Sequence, residues 1–188
     1  MFRCKFMMFA FKLSLLGVCL YFTLPLFGQE EKKTDEEQEY FRHRISVAMA
    51  NVRVPSADNV NQQSSFYILP TWAINYDYWF SRKFALGLHS DFALQKYEVS
   101  FEESVITRSH PVVVSAVGLF KATRHWTFLF GAGREFEASR DFNLIRFGTE
   151  YGIEIQNNWE INFNLVYDQK INAYDAIMFG FGASKKLR

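Results

Sequence analysis

The fold is decided by a ten-residue stretch that reads Ile145-Arg146-Phe147-Gly148-Thr149-Glu150-Tyr151-Gly152-Ile153-Glu154. Its side chains alternate with a period of two, and a β-strand places successive side chains on opposite faces. One face holds Arg, Glu and Gly, whereas the other is dominated by Ile, Phe and Tyr. The same alternation recurs after residue 40 almost to the end of the chain, as at Phe163-Asn164-Leu165-Val166-Tyr167-Asp168. The chain is therefore predicted to be all-β.

The composition fits strands that are very apolar on one face and polar on the other. The chain has 188 residues, enough for one domain. Aromatic residues make up 18% of it, and 21 residues are Phe. The mean hydropathy is nevertheless close to neutral, at -0.11, which argues against a helical membrane protein.

The N-terminal region, residues 1–28, differs from the rest and is predicted to be a signal peptide. Three basic residues precede an apolar run from Leu13 to Phe27, and no acidic residue occurs before Glu30. This order is typical of a secretory signal, here cleaved near Gly28. An uncleaved anchor helix and a lipoprotein site at Cys19 are the alternatives.

Removal of residues 1–28 would leave a flexible charged segment, 29–39, and a barrel domain, 40–188. Both cysteines, Cys4 and Cys19, lie in the signal, so the domain would need no disulfide and bind no metal through thiolates. The chain without its signal, residues 29–188, would contain 18 basic and 20 acidic residues, a net charge of −2. Nothing in this balance indicates nucleic acid as a partner, and no cofactor is predicted.

Eight strands are predicted, at about residues 41–52, 65–79, 84–96, 111–120, 126–137, 142–155, 159–169 and 174–185. Two connections, 53–64 and 96–109, are long and polar, whereas others such as Phe80-Ser81-Arg82-Lys83 are tight. Transmembrane β-barrels have short turns at one end, longer loops at the other and an even number of strands.

Aromatic residues gather near the ends of strands, and they are interpreted as a girdle at a membrane interface. The predicted interface residues are Trp72, Tyr76, Tyr78, Trp79, Trp126 and Trp159. The alternative is a soluble protein, in which a Trp beside a tight polar turn is also common.

Over about residues 40–188 the chain resembles the small outer-membrane β-barrel proteins of the OmpA/OmpX-like group. The resemblance is carried by the signal peptide, the eight amphipathic strands, the inward Gly-x-Gly pairs and the aromatic-flanked turn Tyr78-Trp79-Phe80-Ser81-Arg82-Lys83-Phe84-Ala85-Leu86-Gly87. It implies an eight-stranded antiparallel up-and-down transmembrane β-barrel in the outer membrane of a Gram-negative bacterium. It also implies contact with outer-membrane lipid and insertion by the barrel-assembly machinery, which reads an aromatic residue at the end of the last strand. This chain departs from that pattern by ending Ser184-Lys185-Lys186-Leu187-Arg188, so Phe179 and Phe181 would have to serve as the signal.

Within such a barrel the polar face of each strand would point into the lumen. The predicted lumen polar network is Arg44, His89, Asp91, Glu135, Arg146, Glu150, Glu154 and Asp168. Because eight strands leave an interior just wide enough for side chains, these charges must pair, with Arg146 near Glu135 or Glu150. A filled lumen is favoured, and a narrow gated pore is the alternative.

The sequence His89-Ser90-Asp91 invites comparison with a catalytic triad, but its spacing does not fit one. On a strand His89 and Asp91 share a face and Ser90 points to the other, so Ser90 cannot reach His89. His89 and Asp91 are instead expected to form a hydrogen-bonded pair in the lumen. The other histidines are scattered without metal-ligand spacing, so neither catalytic nor metal residues are predicted.

Three functional hypotheses follow. The first is an outer-membrane barrel with a structural or surface-binding role, contacting an extracellular ligand or protein through loops 53–64 and 96–109. The second is a membrane-embedded lipid-modifying enzyme, and the third is a lipocalin-like soluble barrel that binds an apolar ligand. The third would place Phe147 and Tyr151 inside and Arg146 in water. Since eight strands cannot enclose so many large apolar side chains, lipid-facing walls are favoured.

Overall fold

A computed structural model describes residues 41–56, 66–101 and 104–188. The predicted signal peptide, the charged segment 29–39 and most of the loop predicted at 53–64 lie outside the described residues. None of the described residues belongs to a helix long and apolar enough to cross a membrane.

The described chain forms ten antiparallel strands. They are β1 (His43–Pro55), β2 (Phe66–Trp79), β3 (Phe84–Ala93), β4 (Lys96–Phe101), β5 (Ser104–Ser109), β6 (Val112–Lys121), β7 (Trp126–Phe136), β8 (Phe142–Glu154), β9 (Trp159–Lys170) and β10 (Asp175–Leu187). Eight of them close a barrel in the order β1-β10-β9-β8-β7-β6-β3-β2, while β4 and β5 pair only with each other. The predicted eight-stranded up-and-down barrel is confirmed, and the predicted loop 96–109 is a β-hairpin.

The two ends of the barrel differ. At one end, called here the turn end, β1 begins beside the close of β10, with His43 opposite Leu187. Short connections join β2 to β3, β6 to β7 and β8 to β9 at this end. At the opposite end, called here the hairpin end, the β4–β5 hairpin connects β3 to β6 along the chain, while β3 and β6 pair directly in the barrel.

The apolar face of the barrel strands points outward and the polar face points inward. On β2 the side chains of Ile74 and Tyr76 are exposed, whereas those of Asn75 and Asp77, which alternate with them, are buried. On β8 Phe147 is exposed while Arg146 is only 1% exposed. The lipocalin-like hypothesis, which needs the opposite arrangement, is therefore wrong. An apolar wall of this extent needs lipid or a partner around it.

Five of the six aromatic residues predicted for the interface face outward and are exposed. Trp79 departs from that prediction, since only 9% of it is exposed. Its position explains the difference: Tyr78 faces outward, so the next residue on the strand faces inward. There the Trp79 ring lies 5.8 Å from the Arg44 guanidinium carbon.

Glycines on the inner face let strands with large side chains close around a small lumen. A Cβ atom at Gly131 would lie 2.1 Å from the Ala116 carbonyl oxygen and 2.7 Å from the Val117 Cα. Both neighbours are backbone atoms that cannot rotate away, so this approach requires glycine. Gly118 is exposed on the outer face, where a Cβ would lie 3.8 Å from the Phe130 carbonyl oxygen.

Gly131→Ala is therefore expected to lower the free energy of unfolding by about 1–3 kcal/mol, since the added methyl group forces the β6–β7 backbones apart. Gly118→Ala is the matched control and should change it by less than about 0.5 kcal/mol. Urea titration of the folded barrel in lipid vesicles, followed by tryptophan fluorescence, measures both. Equal effects of the two substitutions would contradict the close packing described here.

Candidate functional site

The lumen is filled by three groups of charged side chains, each arranged around one arginine. The turn-end network surrounds Arg44 and the central network surrounds Arg146. The hairpin-end network surrounds Arg108, which β5 contributes. All three arginines are at most 3% exposed. Charges buried this deeply persist only when each has partners, so the contacts within each network define the site.

The turn-end network joins five strands. Arg44 on β1 donates from Nε to Asp77 Oδ2 on β2 at 2.9 Å. It also forms ion pairs with Glu150 on β8 and, at 3.3 Å, with Glu160 on β9. Asp77 Oδ1 receives His89 Nε2 of β3 at 3.0 Å. Arg44 therefore links β1 to β2 on one side of it in the barrel and to β9 and β8 on the other side.

The contact of His89 corrects one prediction. His89 was expected to bond Asp91, but it bonds Asp77 on the neighbouring strand. His89 and Asp91 are two residues apart on one strand, about 7 Å along it, so each reaches a partner at its own height instead. Ser90 faces the outer wall and is half-buried. The three residues form no triad.

Glu154 also departs from the expected lumen position. It is the last residue of β8, at the rim of the turn end, and it is exposed. Its carboxylate pairs with Lys186 at 2.6 Å and with Arg124 at 3.3 Å. Glu154 lies on the predicted polar face of β8, but the strand ends there, where the lumen opens to solvent.

The central network is the smallest. Arg146 on β8 binds Asp168 on β9 through two hydrogen bonds, at 2.7 Å from Nε and 2.6 Å from Nη2. Its Nη2 also donates to Asp91 on β3 at 2.5 Å. Neither predicted partner, Glu135 nor Glu150, makes this contact. Glu150 lies four residues along the same strand, about 13 Å away, and β-strands hold such residues apart.

The hairpin-end network is centred on Glu135 of β7. Arg108 donates from Nε to Glu135 Oε1 at 3.0 Å and forms a second ion pair with Glu137 at 3.3 Å. Lys170 of β9 lies 3.1 Å from Glu135 Oε2. The Tyr174 hydroxyl donates to Glu135 at 2.8 Å. The Glu135 carboxylate thus forms ion pairs with two cations, Arg108 and Lys170, and accepts a hydrogen bond from the Tyr174 phenol.

The hairpin packs into the barrel mouth above this network. Tyr97 and Val99 of β4 are 5% and 0% exposed. Because Tyr174 gives its proton to Glu135, Tyr97 is the donor in the 2.7 Å bond between the two hydroxyls. Burial, followed by the charge of Glu135, raises the pKa of the Tyr97 phenol above its ordinary value. The hairpin is therefore part of the packed interior.

A small cavity of about 30 Å³ remains between the central and hairpin-end networks. Apolar residues such as Leu69 and Met178 line it together with Asp91, Asp168 and Lys170. Its volume suffices for about two water molecules, which the polar groups on its wall could bind.

Catalytic chemistry would need a nucleophile, a base and a group that orients the base. At the hairpin end Ser109 Oγ lies 3.3 Å from His110 Nδ1. The nearby Glu137 carboxylate accepts bonds from the Ser109 backbone N–H and from Ser139, and in the described residues no carboxylate bonds His110. The described chain also contains no group of three or more His, Cys, Asp or Glu side chains placed to hold a metal ion.

Several members of the networks are absent from the lumen network that the sequence predicts. Asp77 lies opposite Arg44 in the β1–β2 register, so strand pairing alone places it near Arg44. Glu160 lies on the inward face of β9, which β10 separates from β1, so its contact with Arg44 depends on how the barrel closes. Arg108 and Tyr174 carried no such signal. Arg108 belongs to a segment interpreted as a loop, and its role depends on how the hairpin folds back over the mouth.

No protein-family model and no curated protein matches the chain. Solved structures do match. Ail, the attachment invasion locus protein of Yersinia pestis, superposes with a TM-score of 0.50 at 16% identity, covering 78% of this chain and 98% of Ail. Ail in complex with the heparin analogue sucrose octasulfate gives a TM-score of 0.54 at 15% identity over the same shares.

The outer membrane protein AlkL, determined in lipid bilayers, gives a TM-score of 0.50 at 15% identity over 85% of this chain and 98% of AlkL. The chain therefore has the fold of the small eight-stranded outer-membrane barrels. The resemblance to the OmpA/OmpX-like group inferred from the sequence is confirmed at the level of the fold.

Arg146→Met is expected to destabilise the barrel by about 3–5 kcal/mol, since it leaves Asp91 and Asp168 buried without a cation. Adding Asp91→Asn and Asp168→Asn to it should recover most of that loss. Arg134→Met removes an arginine that is exposed on the outer wall and pairs with Asp141 at 3.0 Å, so it should cost less than about 1 kcal/mol. Urea unfolding in vesicles measures all three, and a failure of the triple variant to recover stability would contradict the pairing.

Proposed function

We propose that this chain, which has the fold of the small outer-membrane barrels, is an outer-membrane protein with a side-chain-filled lumen. Its role is structural or surface-binding rather than catalytic. One observation carries the proposal: large apolar side chains cover the outside of the barrel while paired charges fill its inside. Water favours the opposite arrangement, and a lipid bilayer favours this one.

Further features agree with that location. Residues 1–28 are predicted from their sequence to be an export signal, which would direct the chain out of the cytoplasm. The exposed Trp126 and Trp159 begin strands directly after short turns, where aromatic residues meet the membrane interface. Since short turns face the periplasm in such barrels, the turn end is periplasmic and the hairpin end is extracellular.

The three networks favour a closed lumen over a solute pathway. Arg44, Arg146 and Arg108 lie at successive heights and bond carboxylates from several sides. A pore would need water in place of these contacts, and breaking a buried ion pair costs several kcal/mol. A structural filling is therefore the simpler role for the polar interior.

Because the lumen is filled, the loops at the hairpin end are the remaining place for specific binding. We propose that an extracellular ligand or protein contacts the β4–β5 hairpin and the loop predicted at 53–64. The hairpin is held by Arg108 and Tyr97, so it presents a fixed surface on which Val105 is 57% exposed. The complex of Ail with the heparin analogue sucrose octasulfate supports the idea that a barrel of this fold can bind a ligand.

Membrane insertion is tested by fractionation and gel mobility. The protein expressed with residues 1–188 is expected in the outer-membrane fraction, and the unheated sample should migrate differently from the boiled one because the closed barrel resists detergent. Recovery in the soluble fraction without detergent would refute the proposal. A known soluble periplasmic protein from the same cells serves as the fractionation control.

Protease treatment of intact cells tests the position and anchoring of the hairpin. Arg108→Leu removes the cation that holds β5 to Glu135, so external protease should cut the hairpin faster than in the unaltered protein. Glu98→Gln is the matched control, because Glu98 is exposed on the same hairpin. Cleavage seen only after the cells are broken would contradict an extracellular hairpin, and equal rates for both variants would contradict the anchoring.

A further inference from the structure

A band of cations surrounds one side of the turn end. We define this basic arc as Arg42, Arg82, Lys83, Lys185 and Arg188. Its members follow neighbouring strands in the order β10, β1, β2 and β3. The Trp79 backbone N–H bonds the Arg42 carbonyl at 2.7 Å, which places Arg42 beside the β2–β3 turn that holds Arg82 and Lys83.

Acidic residues of the described chain do not neutralise Arg42, Arg82 or Lys83. Asp77, Glu150 and Glu160 belong to the turn-end network and are at most 5% exposed. Glu154 is exposed, but it lies on β8, and it pairs with Lys186 and Arg124. Arg42, Arg82 and Lys83 are exposed and have no ion-pair partner among the described residues. Their charge therefore faces outward.

The arc lies at the same height as exposed aromatic residues. Arg82 and Lys83 are flanked by Phe80 and Phe84, whose rings stack at 6.5 Å and which are 57% and 47% exposed. Lys185 Nζ lies 5.1 Å from the centre of the Trp159 ring. Aromatic rings at the ends of membrane strands mark the level of the lipid headgroups.

We propose that the basic arc binds the phosphate groups of anionic phospholipid headgroups in the leaflet that surrounds the turn end. The proposal rests on the membrane insertion proposed above. A lipid surface is favoured over an acidic protein because the cations lie beside lipid-facing aromatic rings and spread along a curved rim. Each Lys or Arg near an anionic leaflet raises binding by about fivefold.

The test measures which lipids surround the barrel. The full chain is folded into phosphatidylcholine vesicles, and electron spin resonance compares the association of spin-labelled phosphatidylglycerol with that of spin-labelled phosphatidylcholine. A severalfold preference for phosphatidylglycerol is expected, and it should fall in high salt because salt screens exposed charges. The triple variant Arg42→Gln, Arg82→Gln, Lys83→Gln should lose most of the preference.

The matched control makes the same change of charge at the hairpin end, through Arg53→Gln, Lys96→Gln and Arg134→Gln. It should leave the preference in place. Equal preferences in both triple variants, or no preference in the unaltered chain, would overturn the proposal. Heat-dependent gel mobility of the protein from the same vesicles reports whether the barrel is folded. Absence of the lipid preference in a folded barrel would therefore refute lipid binding by the basic arc without refuting membrane insertion.

One further variant addresses a competing occupant within the chain. Residues 29–39 contain six acidic and two basic residues and precede the arc directly. A phosphatidylglycerol preference that appears only after deletion of residues 29–39 would assign the arc to that segment and overturn the lipid proposal. The same preference with and without the segment supports it.

Discussion

The interior of an eight-stranded barrel is only as wide as its own side chains, and the rest of this structure depends on that limit. Charges that face inward have little access to water, so each must meet an opposite charge across the lumen. Arg146 of β8 meets Asp91 of β3, a strand that is not its neighbour in the barrel. Such contacts cross the lumen, whereas backbone hydrogen bonds join only neighbouring strands around the wall.

Ion pairs across the lumen constrain strand register more than they add to net stability. Their attraction is largely offset by the cost of removing both charges from water. A slip of one residue in any strand would, however, move its charges to the lipid face and its aromatic residues to the lumen. Arg44, with partners on β2, β8 and β9, makes that error costly for several strands at once.

Alternation in the sequence predicted the strands, their closure and the face of most side chains, because a period of two depends only on local geometry. It did not predict which charges pair. Partners are set by height in the lumen, which depends on the stagger of strands far apart in sequence, and so Arg146 bonds Asp168 rather than Glu135. The predicted locations of the Trp79 and Glu154 side chains were wrong for a related reason. Both residues lie at strand ends, where a shift of one residue changes whether a side chain meets lipid, lumen or solvent.

The contact between Arg108 and Glu135 has a consequence for how this protein can diverge. The cation comes from a connection between strands, yet its partner lies inside the barrel wall. Loop and barrel are therefore not independent modules: a hairpin transplanted from another barrel would leave the Glu135 carboxylate one cation short. The outward-facing side chains of this hairpin can therefore change independently of the barrel, whereas a change of an inward-facing side chain requires a compensating change inside the barrel.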